Sequence, residues 1–140
     1  MPQRILIDTG PIVAILDSKD QHHNQCAHTA SNLPDIVLTC WPVITEACYL
    51  LRSRPDLVDR FLEMIHDGVY EVLDIDVGEI TEVGGVLAKY RDQQIDLADA
   101  CLAHLAARES IDTVFTVDQR HFSLFRNVAG DALQLIPDLR

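Results

Sequence analysis

Short apolar runs alternate along this chain with longer stretches in which apolar residues recur at helical spacing. Arg4-Ile5-Leu6-Ile7 reads as a strand buried on both faces, ending at Asp8. Thr9-Gly10-Pro11 turns the chain, and Pro11, with its fixed φ, suits the first turn of a helix through Leu16. Asp20 is placed to cap a second helix to about Ser31. Ile36 to Thr39 is the second strand, and Pro42 opens a helix whose apolar line is Ile44, Ala47, Cys48 and Leu51. Arg54-Pro55 breaks it. Asp56 starts the next helix, with Leu57, Phe61, Leu62 and Ile65 expected inward and Gly68 as its stop. Glu71-Val72-Leu73 is a short strand. The helix after it is expected to bury Ile80, Val83, Leu87 and Tyr90, with Gly84-Gly85 marking a close crossing by another helix. A loop over 91–95 leads to Asp96 and a helix with Leu97, Ala98, Cys101, Leu102 and Leu105 on one face. Thr113 to Val117 is a strand running into Asp118, followed by a short helix through Phe125 and a last strand, Leu133 to Ile136. Strand and helix in alternation predict an α/β protein with a parallel sheet covered by helices.

Composition narrows this picture. A length of 140 residues predicts one domain spanning 1–140, long enough to bury its own core. The longest wholly apolar candidate, Pro11 to Leu16, is far short of a membrane span, and Asp8 interrupts the N-terminal apolar run where a secretory signal would need continuity. A cytoplasmic protein without membrane partners is expected. Cys26, Cys40, Cys48 and Cys101 are far apart and read as small reduced core residues. The six histidines show no metal-ligand spacing; His22, His23 and His28 cluster in one polar segment and read as solvated or capping.

Acidic residues change the picture most. Asp8 and Asp118 each follow a β-rich run and should lie at a strand's carboxyl end. Glu46 falls near the start of the helix after the second strand, and Asp99 in the first turn of the helix that follows the 91–95 loop. Open parallel sheets bind ligands at that rim, so the four carboxylates are expected to meet there. Any one of them alone reads as a helix cap; Asp96, three residues before Asp99, reads best as an N-cap, with an auxiliary role left open. Four carboxylates suit Mg²⁺ or Mn²⁺, hard cations that take oxygen ligands. Such ions support hydrolysis of a phosphodiester by in-line attack of water. Without an ion, two carboxylates at ~5 Å repel by about 3 kcal/mol at an effective dielectric near 20.

Four segments together carry a resemblance: Ile7-Asp8-Thr9-Gly10 with Val13-Ala14, Thr45-Glu46-Ala47, Asp96-Leu97-Ala98-Asp99-Ala100, and Thr116-Val117-Asp118-Gln119-Arg120-His121-Phe122. In this order they resemble the PIN-domain family, in particular the VapC-like toxin ribonucleases of bacterial toxin–antitoxin pairs, over essentially the whole chain. The resemblance implies a three-layer αβα fold with a central parallel sheet. It implies Asp8, Glu46, Asp99 and Asp118 as the metal-binding quartet, Thr116 as a supporting hydroxyl, and an endoribonuclease dependent on Mg²⁺ or Mn²⁺. It further implies a homodimer and a small inhibitory antitoxin. Gly10 departs from the family pattern, where a small polar residue is common.

The net charge of −11 opposes ordinary nucleic-acid binding, in which basic surface supplies most of the affinity. A cation cluster offsets it locally, and an acidic toxin attracts a basic inhibitor. Other readings have less support. A phosphotransfer module wants a second acid near Asp8 and a late lysine, whereas the residue two beyond Asp8 is Gly10 and the only lysines are Lys19 and Lys89. Asp8-Thr9-Gly10 as an aspartic-protease triplet needs an all-β frame. A PIN-fold RNA- or protein-binding module without turnover, or a processing nuclease that is not a toxin, keeps the same residues and is separated only by assay.

Overall fold

The computed structural model describes residues 3–33 and 36–139. Five strands form one all-parallel sheet in the order β3-β2-β1-β4-β5: β1 is Arg4–Ile7, β2 Ile36–Thr39, β3 Glu71–Val72, β4 Thr113–Phe115 and β5 Gln134–Ile136. Seven α-helices are found among the described residues: α1 Thr9–Leu16, α2 His23–Ser31, α3 Trp41–Leu50, α4 Pro55–His66, α5 Ile80–Lys89, α6 Leu97–Arg108 and α7 Gln119–Phe122. The sheet is the middle of a three-layer α/β arrangement, as the alternating pattern predicts. No helix among the described residues is long and apolar enough to cross a membrane.

Parallel strands covered on both faces need side chains that are apolar in succession. Ile5, Leu6 and Ile7 of central β1 are all buried, as are Thr113, Val114 and Phe115 of β4. The core joins these strands to Ile12, Val43, Ile44, Phe61, Leu102 and Leu105 from the helices. α6 is buried nearly all round, from Ala98 through Ala106 with only Ala103 less enclosed, because it packs against both α5 and α3. The four cysteines are free thiols, three of them buried.

Several helix faces differ from the expected ones. Leu62 and Ile80 are exposed, although each lies on a helical apolar line. In α4 the inward stripe is narrow, with Leu57 and Phe61 buried and Met64 and Ile65 packed at the edge. Leu97 points outward from the first turn of α6, half-exposed. Gly84 and Gly85 mark no crossing: a Cβ on either would meet nothing within 4 Å. α2 begins two residues later than an Asp20 cap would place it, since the Asp20 carboxylate accepts from the backbone N–H of His22 within the preceding turn. Gly68 does end α4, at φ +83°, where a side chain would be strained.

One polar cluster, buried at His104 and open at Arg108, lies apart from the acid rim. His104 in α6 meets Glu79 through Nε2 at 2.7 Å, and Arg108 reaches Glu79 at 3.0 Å. Glu79 also closes a capping box with Asp76 at the start of the turn leading into α5. These partners hold its carboxyl down at about 2, His104 contributing most. The cluster fastens α5 to α6.

Candidate metal centre

The sheet order reverses at β1. The chain adds β2 and β3 on one side, then returns through α5 and α6 to place β4 on the other. Connections leaving the carboxyl ends of β1 and β4 therefore diverge and open a crevice, the usual ligand position in open α/β sheets. Asp8 follows β1 directly and caps α1. Its backbone N–H donates to the Phe115 carbonyl at 2.9 Å, so its position is set by both central strands. Oδ1 accepts the Thr9 N–H at 2.8 Å and Oδ2 accepts the Thr116 hydroxyl at 2.9 Å. Thr116 also accepts the Asp118 N–H at 3.0 Å. A single hydroxyl thus ties the carboxylate after β1 to the backbone that carries Asp118.

Asp99 arrives from the opposite direction. α6 starts at the carboxyl rim because it leads back into β4, and its first turn is closed by a reciprocal box. The Asp96 carboxylate accepts the Asp99 N–H at 2.8 Å, and the Asp99 carboxylate accepts the Asp96 N–H at 3.3 Å. Asp96 is thereby the N-cap, and Asp99, 6% exposed, is held facing the crevice. Glu46 comes from the second turn of α3, slightly deeper than expected. Its carboxyl responds to Thr9, Asp96 and Asp118. Asp118 caps α7 without a side-chain bond of its own and is exposed.

The electrostatics follow from burial and crowding. Burial pushes the Asp8 carboxyl from its ordinary 3.8 up to about 7, against the bonds from Thr9 and Thr116, with the charges of Asp99 and Glu46 adding to the rise. Asp99 is pushed up to about 6 by burial and then by the Asp96 charge, with the Asp96 N–H and His121 opposing. Glu46 is raised as well, chiefly by burial, with Asp96 and Asp118 adding and Thr9 opposing. No lysine or arginine among the described residues forms an ion pair with Asp8, Glu46, Asp99 or Asp118; the nitrogen-bearing side chain that reaches Asp99 and Asp118 is His121.

Two participants lie within the quoted sequence segments but are not singled out as site residues by them. His121 brings Nδ1 to 3.0 Å from Asp118 and 3.3 Å from Asp99, and these three residues offer ligand atoms all within 4.8 Å of one another. Its signal is the i, i+3 spacing from Asp118, which becomes visible once a helix is known to start there. Thr9, 3% exposed, has a buried hydroxyl that lies near Glu46 without hydrogen-bond geometry to any partner. An unpaired buried hydroxyl beside uncompensated carboxylates is costly unless something polar joins them. The oxygen-rich donor set with this unfilled bonding capacity fits a hydrated divalent cation.

Beside the acids lies an open groove of about 620 Å³, lined by Trp41, Pro42, Thr45, Tyr49 and Leu97, with Glu46 and Asp96 on its wall. Trp41 and Tyr49, eight residues apart on one side of α3, leave large aromatic surfaces exposed there.

Comparison with known proteins adds an independent line. A family model described as PIN domain matches residues 5–130. Ribonuclease VapC26 of Mycobacterium tuberculosis (strain ATCC 25618 / H37Rv) is 30% identical over 136 residues, which span 95% of this chain and 100% of that protein. Among solved structures, the M. tuberculosis VapC20 toxin, described as cleaving the Sarcin-Ricin loop, superposes with a TM-score of 0.77 at 17% identity, covering 84% of this chain and 92% of that one. VapBC2 from Rickettsia felis, solved bound to a DNA fragment from its promoter, superposes with a TM-score of 0.63 at 15% identity over 96% and 98%. The two superpositions speak for the fold.

Proposed function

The chain belongs to the PIN-domain family, and from that membership and its acid rim we propose that it is a divalent-cation-dependent endoribonuclease, the toxin of a type II toxin–antitoxin pair. The observation that carries the reading is the convergence of Asp8, Glu46 and Asp99 with Asp118 at the sheet's switch point, with no lysine or arginine among the described residues paired to them. Asp8, Glu46, Asp99 and Asp118 would hold Mg²⁺ or Mn²⁺. A cation bound there supplies water activation and charge neutralisation at phosphorus.

The chain's own groups do the rest. Thr116 orients Asp8 and keeps one carboxylate oxygen engaged, which fixes the direction of the other side of the group. The box between Asp96 and Asp99 prevents Asp99 from rotating away. Thr9 offers a hydroxyl free to bond a water or a substrate oxygen. Arg120, exposed two residues beyond Asp118, is positioned near the rim as a candidate contact for an RNA phosphate.

A basic antitoxin is the expected inhibitor, since a chain of net charge −11 steers a cationic partner toward itself. A homodimer in the cytoplasm completes the proposal, and light scattering on the purified protein reads the oligomeric state directly.

The functional test is cleavage of RNA with Mg²⁺ or Mn²⁺, with EDTA, and by Asp99→Asn. Activity is expected with ions and absent in the other two. Cleavage that persists in EDTA, or an undiminished Asp99→Asn variant, refutes the assignment. Cation binding without cleavage of any RNA would favour a binding module instead.

A further inference from the structure

We propose that His121 is a nitrogen ligand of the cation site, sharing one ion with Asp99 and Asp118, and that it makes the site favour Mn²⁺ over Mg²⁺. The inference rests on the metal-dependent reading above and adds to it a ligand and a selectivity.

The placement of His121 is imposed by its neighbours. α7 is only four residues long, with Asp118 as its N-cap. Its rotation is set by Phe122, fully buried and packed edge-on to Phe125 with ring centres 5.3 Å apart. With Phe122 anchored in the core, the preceding residue must face the crevice, and its side chain is only 13% exposed.

The contacts there are not those of an ordinary histidine–carboxylate pair. Nδ1 lies 3.0 Å from Asp118 Oδ2 and 3.3 Å from Asp99 Oδ2, yet neither contact has hydrogen-bond geometry. Nε2 is also buried without a partner. Nitrogen and oxygens at bonding distance but off the N–H line, with ligand atoms of all three residues within 4.8 Å of one another, are spaced as ligands of one shared ion would be. Cis ligands on an octahedral ion with 2.0–2.1 Å bonds stand about 3 Å apart, which matches both spacings. The buried, unpaired Thr9 hydroxyl elsewhere in the same site is a second sign of bonding capacity that the protein alone leaves unused.

Selectivity follows from donor chemistry. Mg²⁺ takes oxygen almost exclusively and keeps its waters, whereas imidazole nitrogen suits first-row transition dications. Replacing one oxygen by a neutral ring nitrogen lowers the site's preference for Mg²⁺ and raises it for Mn²⁺. The competing account is a protonated His121 acting as an internal cation between the two carboxylates, with no ligand role.

The test uses the full-length protein stripped with EDTA and reloaded with Mn²⁺ alone. Electron spin-echo spectroscopy reads nitrogen coordination directly, and a histidine-¹⁵N-labelled sample assigns it to imidazole. His121→Gln, checked for folding by circular dichroism, then localises it. Expected are a nitrogen coupling in the wild type, its loss in His121→Gln, and a fall of about 10-fold in the Mn²⁺/Mg²⁺ affinity ratio. If that variant fails to fold, the labelled wild type still decides, because no other histidine among the described residues comes within 4 Å of the four acids. Bound Mn²⁺ with oxygen ligands only overturns the His121 role and leaves the metal reading standing. A variant with reduced stability in EDTA but an unchanged affinity ratio also overturns it, in favour of the internal cation. No Mn²⁺ bound at millimolar concentration overturns both the ligand and the metal reading.

Discussion

Replacing Asp8 by asparagine should make the ion-free protein more stable at pH 8 while abolishing the cation binding proposed for this site. Asp8 is 6% exposed, and its carboxyl titrates near 7 where an unfolded chain's would titrate at 3.8. A folded-state pKa raised above the unfolded one means stability that is fully present below the unfolded value and is lost as pH rises through the folded one. The displacement corresponds to roughly 4 kcal/mol withdrawn from the wild type between pH 4 and pH 8. Asp8→Asn does not titrate in that range. Its amide oxygen can still accept the Thr9 N–H, but its amide nitrogen must face Thr116, whose hydroxyl already accepts the Asp118 N–H. That mismatch costs about 1–2 kcal/mol. A net gain of about 2 kcal/mol remains at pH 8, a rise in Tm of roughly 5–10 °C for a chain of this size. Thermal unfolding in EDTA at pH 5 and pH 8 measures it. At pH 5 the wild-type carboxyl is mostly protonated, so the variant should be equal or slightly less stable there. Added Mn²⁺ at pH 8 should raise the wild-type Tm and leave Asp8→Asn nearly unmoved. A variant no more stable than wild type at pH 8, or a difference that does not shrink toward pH 5, would refute the account of this carboxylate as a strained ligand.

The same substitution type should have opposite signs at the glycines of α5 and at Gly10. Gly84→Ala and Gly85→Ala lie on the exposed side of α5 with open space around a new Cβ, so each should stabilise by about 1 kcal/mol in chemical denaturation. Gly10→Ala would set a Cβ 2.5 Å from Val117 Cγ2, forcing that side chain to rotate beside Asp118. It should destabilise by about 1–2 kcal/mol, and equal stability of all three variants would discredit the packing argument.

Features decided locally, or by burial on both sides, are legible in the sequence. β1, β2 and β4 are short apolar runs because each lies inside the sheet with helices over it, and a run of that length between turn signals fits a buried strand better than a helix. Pro42, Gly68 and Asp96 act through their own backbone neighbours, so their meaning travels with the residue. Leu62, Ile80 and Leu97 depart from expectation for the converse reason. An apolar line states which residues could face inward, not how wide the covering surface is, and that width depends on elements distant in sequence. Gly84-Gly85 shows the same gap: a glycine pair permits close approach without requiring it.

The acid rim is accessible to sequence because topology supplies the convergence. In a parallel sheet every strand ends at the same rim, so acids after β1 and near β4, together with acids in helices whose ends lie there, share one neighbourhood. His121 lacks any such rule. Its direction depends on Phe122 and Phe125 locking a four-residue helix, and on Asp99 arriving from α6 at the same depth. The acids' own placement opposes folding, since burial and mutual charge raise Asp8, Glu46 and Asp99 together. The Ile5–Ile7 and Val114–Phe115 segments hold them there nonetheless, because moving the rim apart would expose the most deeply buried strands of the molecule. Under the proposed metal role, a fold that keeps carboxylates crowded in this way does the positioning before a cation arrives, so binding would relieve repulsion without first having to order the ligands.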